Sequence, residues 1–197
     1  MMPRKSRAET MEANRQKLIS AAREAFATAG FASASMDELT ASVGLTRGAL
    51  YHGFGDKKGL LAAVIAQVDG EMATRAKEAG AQVNDPWESL LAEATAYIEM
   101  ALDPQIRRIV LLDGPAILGD PSQWPSQNAC LATTEQAVAD LVARGVMKPV
   151  DVEAASRLLS GAAFDAALWV GASDAPDIAL PKAVHAYRTM AEGFLAK

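Results

Sequence analysis

Apolar residues recur along most of the chain at the three- and four-residue spacing of one helix face. No stretch between turn signals alternates apolar and polar side chains as a surface strand would. The first helical face runs from Leu18 to Ala29, and Gly30 is predicted to end that helix. A longer stripe from Leu60 to Met72 predicts a helix long enough to connect two domains. The pattern therefore predicts an all-α protein.

Two short helices are predicted between these long ones. Ser35, followed three residues later by Glu38, forms a capping box before the first of them, which Gly44 ends. Thr46 caps the second, and Gly55 ends it by taking a left-handed conformation. A helix of about two turns is not stable by itself. Its polar face therefore indicates that the fold presents it to a partner.

The connection between the two short helices consists only of Gly44, Leu45 and the capping Thr46. Such a tight turn is typical of a helix-turn-helix unit, in which the second helix lies in the DNA major groove. A helical corner without a role in DNA binding has the same turn. The turn alone leaves both interpretations open.

The remainder of the chain is divided by three Asp-Pro pairs, in which the aspartate can cap a helix that begins at the proline. Gly and Pro are concentrated in the stretch from Asp113 to Gln127, which is predicted to be one long irregular connection. The helices predicted in this part cover roughly residues 86–102, 104–112, 126–144, 152–171 and 180–195.

Charge is distributed unevenly along the chain, whose net charge is −5. Residues 1–60 carry nine basic and six acidic side chains, whereas the remaining 137 residues carry ten basic and eighteen acidic ones. A basic head on an acidic body favours local contact with a polyanion over indiscriminate binding. Chance can also divide the charges of a small domain in this way.

Several classes of protein find no support in the sequence. No run approaches the roughly eighteen apolar residues of a membrane span, and the single cysteine, Cys130, cannot form an internal disulfide. The basic N-terminus is followed by no apolar signal core, so we expect a soluble cytoplasmic protein. No metal-ligand cluster, phosphate loop or carboxylate pair is visible, and we expect no metal, cofactor or catalytic residue. Cys130 and His185 are the obvious nucleophile and base, but neither lies in a catalytic motif.

The run from Arg15 to Leu61 resembles the DNA-binding head of the TetR family of transcriptional regulators. The resemblance covers about a quarter of the chain. It implies an all-α homodimer with a helix-turn-helix head and a C-terminal helical bundle that binds a small effector. The residues that match the family pattern are Phe26, Gly30, Phe31, Ser35, Met36, Leu39, Gly44, Leu45, Gly48, Leu50, Tyr51, Phe54, Lys57 and Leu60.

This resemblance implies a division of the chain and a function. Residues 1–57 would form the N-terminal arm and helix-turn-helix DNA-binding domain, and residues 58–197 the helical ligand-binding and dimerisation domain. The protein would bind a palindromic DNA operator as a homodimer, usually as a repressor, and a small molecule would release it. A DNA-independent carrier of small ligands or a helical enzyme is the alternative.

The resemblance also assigns candidate DNA contacts. Arg47 and Gly48 match positions that enter the major groove, where an arginine can read guanine and a glycine allows close backbone approach. The phosphate-contacting positions are matched by Ser35, Thr46, Tyr51 and Lys57. Thr46 as a plain helix cap, Lys57 as a solvated helix terminus and Tyr51 as a packed ring are the structural alternatives.

One position departs from the family pattern. The family commonly has a histidine directly before the phenylalanine of this motif, whereas this chain has Gly53 before Phe54. His52 lies one position earlier and points in a different direction, although we include it among the candidate DNA contacts. The glycine removes a donor to DNA and weakens the last helical turn by roughly 1 kcal/mol relative to alanine.

Bulky aromatic and sulfur-containing side chains are the candidates for an apolar ligand pocket in the C-terminal part. Residues of these types at helical spacing also serve as plain core. Trp124, in the Gly- and Pro-rich connection, is the stronger candidate for a gate, and Asn128 is a possible polar contact, whereas Arg107 and Arg108 are expected at the surface. The other candidates are Trp87, Tyr97, Met100, Cys130, Phe164 and Trp169.

The last two predicted helices carry apolar faces and small residues that permit close helix approach, such as Gly161 and Ala162. In the family that this chain resembles, the corresponding helices pair with those of a second subunit in a four-helix bundle. We therefore expect a homodimer with two-fold symmetry, which suits a palindromic operator.

Overall fold

The computed structural model describes residues 6–196, and the part it describes is helical, with one isolated β-bridge between Met147 and Leu195. Arg4 and Lys5, in the predicted N-terminal arm, lie outside the described residues. The α-helices are α1 (Arg7–Ser33), α2 (Met36–Ser42), α3 (Arg47–Phe54), α4 (Lys57–Ala81), α5 (Pro86–Glu99), α6 (Pro104–Ile106), α7 (Gly114–Leu118), α8 (Pro125–Ala143), α9 (Val152–Ala172) and α10 (Pro176–Ala191). A π-helix joins α6 to α7, and short 3₁₀ turns cover residues 100–102, 121–123 and 192–194.

Helices α1, α2 and α3 pack with the start of α4 into a small head. Leu18, Phe26, Leu39, Leu50 and Leu60 form its core and are almost completely buried. Since α3 contributes only one fully buried side chain, its position depends on the neighbouring helices rather than on its own apolar area.

The predicted caps of the two short helices form. The Thr46 hydroxyl accepts a hydrogen bond from the Ala49 N–H at 3.2 Å, and Gly55 ends α3 with φ 76°. The Ser35 hydroxyl accepts from the Glu38 N–H at 3.3 Å, which is one half of the predicted capping box. These local contacts set where α2 and α3 begin and where α3 ends.

Gly30 interrupts α1 rather than ending it. Its backbone has φ 79° and ψ 163°, and one more turn follows to Ser33. The Phe31 N–H, freed by this kink, donates to Asp113 Oδ2 at 2.8 Å. The same carboxylate accepts from Arg108 Nε at 3.3 Å. The kink therefore ties the end of α1 to the π-helix Arg107–Asp113 of the C-terminal part.

The C-terminal part is a bundle in which α4 packs along α5, and α9 packs against α5, α8 and α10. Asp56 caps α4 by accepting from the Gly59 N–H at 2.8 Å, and Asp85 caps α5 in the same way. The apolar stripe of α4 that the sequence predicts is buried from Leu60 to Met72. Helix α4 thus belongs to the cores of both the head and the bundle.

The prediction of one long irregular connection from Asp113 to Gln127 is wrong. This stretch contains α7, a 3₁₀ turn and the beginning of α8. It is ordered because Trp124 is 6% exposed and its ring lies against Gly114, where an added Cβ would approach the ring to 2.7 Å. The preceding predicted helix, 104–112, is also different, since most of it is the π-helix Arg107–Asp113.

Candidate DNA interface and ligand cavity

Helix α3 presents a polar face to solvent. Leu50 is 1% exposed and anchors the helix in the head, whereas Arg47, Gly48, Tyr51 and His52 are exposed. Four of the candidate DNA contacts therefore lie together on one surface. An α-helix with a free polar face fits the major groove of B-DNA.

Arg47 is held on this surface by two neighbours. Its Nη2 donates to the Tyr51 hydroxyl at 3.3 Å, and its Nε lies 3.2 Å from Asp37 Oδ1 on α2. The Tyr51 hydrogen bond and then the Asp37 charge raise the pKa of Arg47 above its ordinary value. The guanidinium is therefore charged, and these two neighbours hold it at the surface between α2 and α3.

Lys57 begins α4 and reaches back to the end of α1. Its Nζ donates to the Ala32 carbonyl at 3.3 Å and lies 4.7 Å above the centre of the Phe31 ring. An ammonium group has three donors, so this contact leaves others for a phosphate. The hydroxyls of Ser35 and Thr46 are engaged as helix caps, which places them at the N-termini of α2 and α3.

Gly53 lies in the last turn of α3, is exposed, and has open space where a Cβ would stand. Arg15 on α1 donates to its carbonyl at 3.5 Å and stacks at 4.7 Å over the Phe54 ring. No local sequence pattern indicates this role of Arg15, because the contact spans 38 positions of the chain.

A cavity of about 560 Å³ lies in the bundle between α4, α5, α8 and α9, with Tyr187 of α10 on its wall. Small and apolar residues form much of this wall. Its polar residues are Asp69, Lys77, Glu93, Tyr97, Ser126, Gln127, Thr133, Thr134 and Ser160, together with Cys130.

The candidate pocket residues divide between the cavity and other places. Tyr97 and Cys130 lie on the wall, whereas Trp124 packs on Gly114 in the core. Asn128 is exposed on the first turns of α8. The other candidates also lie off the cavity wall: Trp87 and Met100 are buried, Phe164 is half-buried and Trp169 is exposed.

A buried polar cluster stands at one side of the cavity. Asp69 is 2% exposed, and its Oδ2 accepts from the Ser126 hydroxyl at 2.5 Å. Three further atoms have no hydrogen-bond partner, namely Asp69 Oδ1, the Tyr97 hydroxyl and Gln127 Nε2. Buried polar atoms are rarely left unpaired. The sequence signal for this cluster was a single acidic residue, Asp69, inside the apolar stripe of α4.

Burial governs the protonation of this cluster. It raises the pKa of Asp69, and the donors on Ser126 and Gln127 offset part of that rise. The Gln127 amide is close enough to favour the carboxylate, but its Nε2 does not reach hydrogen-bond geometry. Burial likewise raises the pKa of the Tyr97 hydroxyl and of the Cys130 thiol. Glu93, farther along the wall, also has a raised pKa through burial, which the Lys77 charge partly offsets.

Between residues 6 and 196, no group of three or more His, Cys, Asp or Glu side chains is arranged to hold a metal ion. None of the helices within that range combines the length and apolar character needed to cross a membrane.

The outer face of α9 and α10 carries large apolar side chains in solvent. Leu158 and Ile178 are more than 60% exposed, and Trp169 is 51% exposed. Met190 is also exposed, and an added Cβ at Gly161 would meet nothing within 4 Å. Large apolar side chains exposed on two helices that pack together are typical of interaction surfaces.

Comparisons with known proteins agree with this architecture. Residues 18–64 match the family model described as bacterial regulatory proteins, tetR family, and residues 87–194 match the model of the tetracyclin repressor-like C-terminal domain. The crystal structure of a TetR-family transcriptional regulator from Pectobacterium atrosepticum superposes with a TM-score of 0.86 at 41% identity, covering 98% of this chain and 99% of that one.

Curated relatives extend the comparison. The transposon Tn10 TetC protein of Escherichia coli is 25% identical over 158 residues, which are 78% of each chain. The HTH-type transcriptional repressor AcnR of Corynebacterium efficiens is 31% identical over 104 residues, which are 48% of this chain and 54% of AcnR. The helix-turn-helix head, the helical bundle and these matches together show that the chain is a DNA-binding transcriptional regulator that belongs to the TetR family.

Proposed function

We propose that this regulator is a repressor that binds a palindromic operator as a homodimer, and that a small molecule in the cavity releases it. One observation carries the proposal: α4 begins in the head and its middle forms a wall of the cavity, from Ala66 to Lys77. A ligand that shifts α4 must therefore also move the head. In this proposal residues 1–57 are the DNA-binding domain and residues 58–197 the ligand-binding and dimerisation domain.

The proposed DNA contacts follow from the exposed surface of the head. Arg47 enters the major groove beside Gly48 and reads a base edge, because a guanidinium pairs bidentately with guanine. The contacts proposed for phosphate are Ser35, Thr46, Tyr51 and Lys57, which position the head without reading sequence. His52 is a further proposed DNA contact on the exposed face of α3.

The proposed dimer uses the exposed apolar face of α9 and α10. A symmetric pairing of this face would bury Leu158, Trp169 and Ile178, which a monomer leaves in water. Two heads related by a two-fold axis would meet the two halves of a palindromic site.

Release of DNA requires that the ligand favour one spacing of the two heads over the other. By linkage, operator DNA must then weaken the ligand by the same factor, and coupling of about 1–3 kcal/mol would be ordinary. The hydrogen bond from the Phe31 N–H to Asp113 offers a second connection between the bundle and the head.

The DNA-binding step is tested by a mobility shift on operator fragments selected with the purified protein. Arg47→Ala should relax the preference at one base pair of each half-site and cost roughly 1–3 kcal/mol there. Arg144→Ala is the matched control, because Arg144 is also exposed and paired with an aspartate, Asp140, but lies in α8. If Arg47→Ala weakened every sequence equally, the arginine would contact the backbone instead.

The dimer is tested by sedimentation of Trp169→Glu, which should shift the protein toward monomer and abolish cooperative binding to the full palindrome. Leu102→Glu is the control, since Leu102 is also exposed but lies outside α9 and α10. A Trp169→Glu protein that remains dimeric would place the interface elsewhere.

A further inference from the structure

The unpartnered atoms beside the cavity differ in what they require. Asp69 Oδ1 is an acceptor when the carboxyl is ionised, Gln127 Nε2 is only a donor, and the Tyr97 hydroxyl can do both. All three residues line the cavity, and their three atoms are buried close together, with the Gln127 amide near both the Asp69 carboxylate and the Tyr97 hydroxyl but outside hydrogen-bond geometry. A buried polar group without a partner costs about 1–3 kcal/mol, so a ligand that supplies the partners gains that energy.

Two common ligand head groups, a carboxylate and an ammonium, pair poorly with the atoms of Asp69, Tyr97 and Gln127. A carboxylate leaves Asp69 without a donor and adds a second negative charge beside it. An ammonium serves Asp69 but offers no acceptor to the Gln127 amide, and it must also lose its hydration in a largely apolar cavity. A hydroxyl donates one hydrogen bond and accepts two. It can therefore donate to Asp69 Oδ1 and accept from the Tyr97 hydroxyl and from Gln127 Nε2.

The rest of the cavity indicates the body of the ligand. Small residues of α4, among them Ala66, Gly70 and Ala73, form a smooth wall, and Leu90 and Leu159 extend it. A volume of about 560 Å³ is in the range of small-molecule sites. Such a wall offers dispersion contacts to rings or short hydrocarbon chains and few further polar partners.

We propose that the effector is an uncharged molecule with an apolar body and a hydroxyl head, which docks on Asp69, Tyr97 and Gln127. This inference rests on the proposed function only in calling the molecule an effector. Binding itself is a separate property of the cavity.

The test compares four probes with the same ring system by isothermal titration calorimetry of the full chain: β-naphthol, β-naphthylmethylammonium, β-naphthoate and β-methylnaphthalene. The proposal expects β-naphthol to bind about tenfold or more tightly than each of the others, because only its head serves all three atoms. Equal binding of β-naphthol and β-methylnaphthalene would overturn it, as would failure of β-naphthol to bind.

Variants then locate the head group. Tyr97→Phe should weaken β-naphthol about tenfold and leave β-methylnaphthalene unchanged, whereas Glu99→Gln, on α5 but off the cavity wall, should change neither. Asp69→Asn keeps an acceptor oxygen and should retain most of the β-naphthol affinity. If β-naphthylmethylammonium bound most tightly and lost that affinity in Asp69→Asn, the ligand would be a cation and the proposal would be wrong.

A mobility shift with operator DNA separates this inference from the proposed function. Tight binding of β-naphthol without any release of DNA supports the head-group assignment and contradicts the proposed role of the cavity in release. Release of DNA by another molecule, in a protein whose cavity shows no preference for β-naphthol, contradicts the head-group assignment and supports the proposed role of the cavity in release.

Discussion

Replacing Gly30 with alanine should destabilise the protein, because two separate costs arise at this position. The first is conformational: φ 79° with ψ 163° belongs to a region that essentially only glycine occupies, and a side chain there costs about 1–3 kcal/mol. The second is steric, since an added Cβ would lie 2.0 Å from Arg108 Nη2 and 2.8 Å from its Cζ.

The steric cost is the smaller one because Arg108 can move. Its side chain is flexible and 46% exposed, and moving it gives up an ion pair with Asp113 that is worth at most about 1 kcal/mol. We therefore expect Gly30→Ala to lower the free energy of unfolding by about 1–4 kcal/mol, with most of the loss in the backbone.

Urea unfolding followed by circular dichroism at one fixed protein concentration measures this loss. Gly53→Ala is the matched control: Gly53 is helical with open space around it, so the same substitution should stabilise α3 by up to about 1 kcal/mol. In an Arg108→Ala background, where the ion pair and the steric clash are already absent, Gly30→Ala should still cost the backbone part, about 1–3 kcal/mol. An unchanged unfolding midpoint for Gly30→Ala, or no cost of Gly30→Ala in the Arg108→Ala background, would refute the assignment of the cost to the backbone.

Three further predictions concern the DNA contacts and the buried carboxylate. Lys57→Ala should weaken binding to all DNA sequences and reduce the magnitude of the log–log salt slope by about one, whereas an unchanged slope would remove Lys57 from the phosphate contacts. Gly53→His should raise DNA affinity more than Gly53→Ala does, since both restore helix propensity but only histidine adds a donor; equal affinities would place the position away from DNA. Asp69→Asn should stabilise the protein increasingly as pH rises above the ordinary carboxyl pKa of 3.8, because the raised pKa makes the folded state lose stability as Asp69 ionises. Urea unfolding at about pH 4 and pH 7 checks this sign, and a difference that does not grow with pH would contradict it.

The candidate DNA surface could be foreseen because its determinants are local. Caps such as Thr46 and Asp56 lie three residues from the N–H groups they accept from, so spacing alone predicts them. The resemblance then named the residues of one short helix, and these lie on one face because a helix places neighbours three and four positions apart on the same side. The partners of Arg47 and Lys57 did not follow from spacing, since Asp37 and Ala32 belong to other helices.

The ligand cavity could not be foreseen in the same way. Large aromatic residues were the expected lining, but Trp124 fills the space beside Gly114 and Trp169 faces outward, while alanine and glycine of α4 line the cavity. A cavity exists where side chains are too small to fill the space between helices, and that depends on how distant helices meet.

The sequence by itself determined the long helices and the two short helices of the head, the caps of the short helices, the turn between α2 and α3 and the resemblance of the head to a known family. All of these depend on residues close together in the chain, where periodicity and hydrogen-bond reach are sufficient. Only the tertiary structure decided the helical turns within residues 113–127, the π-helix that precedes them, the hydrogen bond from Phe31 to Asp113, and the grouping of Asp69, Tyr97 and Gln127. Each of these depends on the packing of segments far apart in the chain, which residue spacing does not encode.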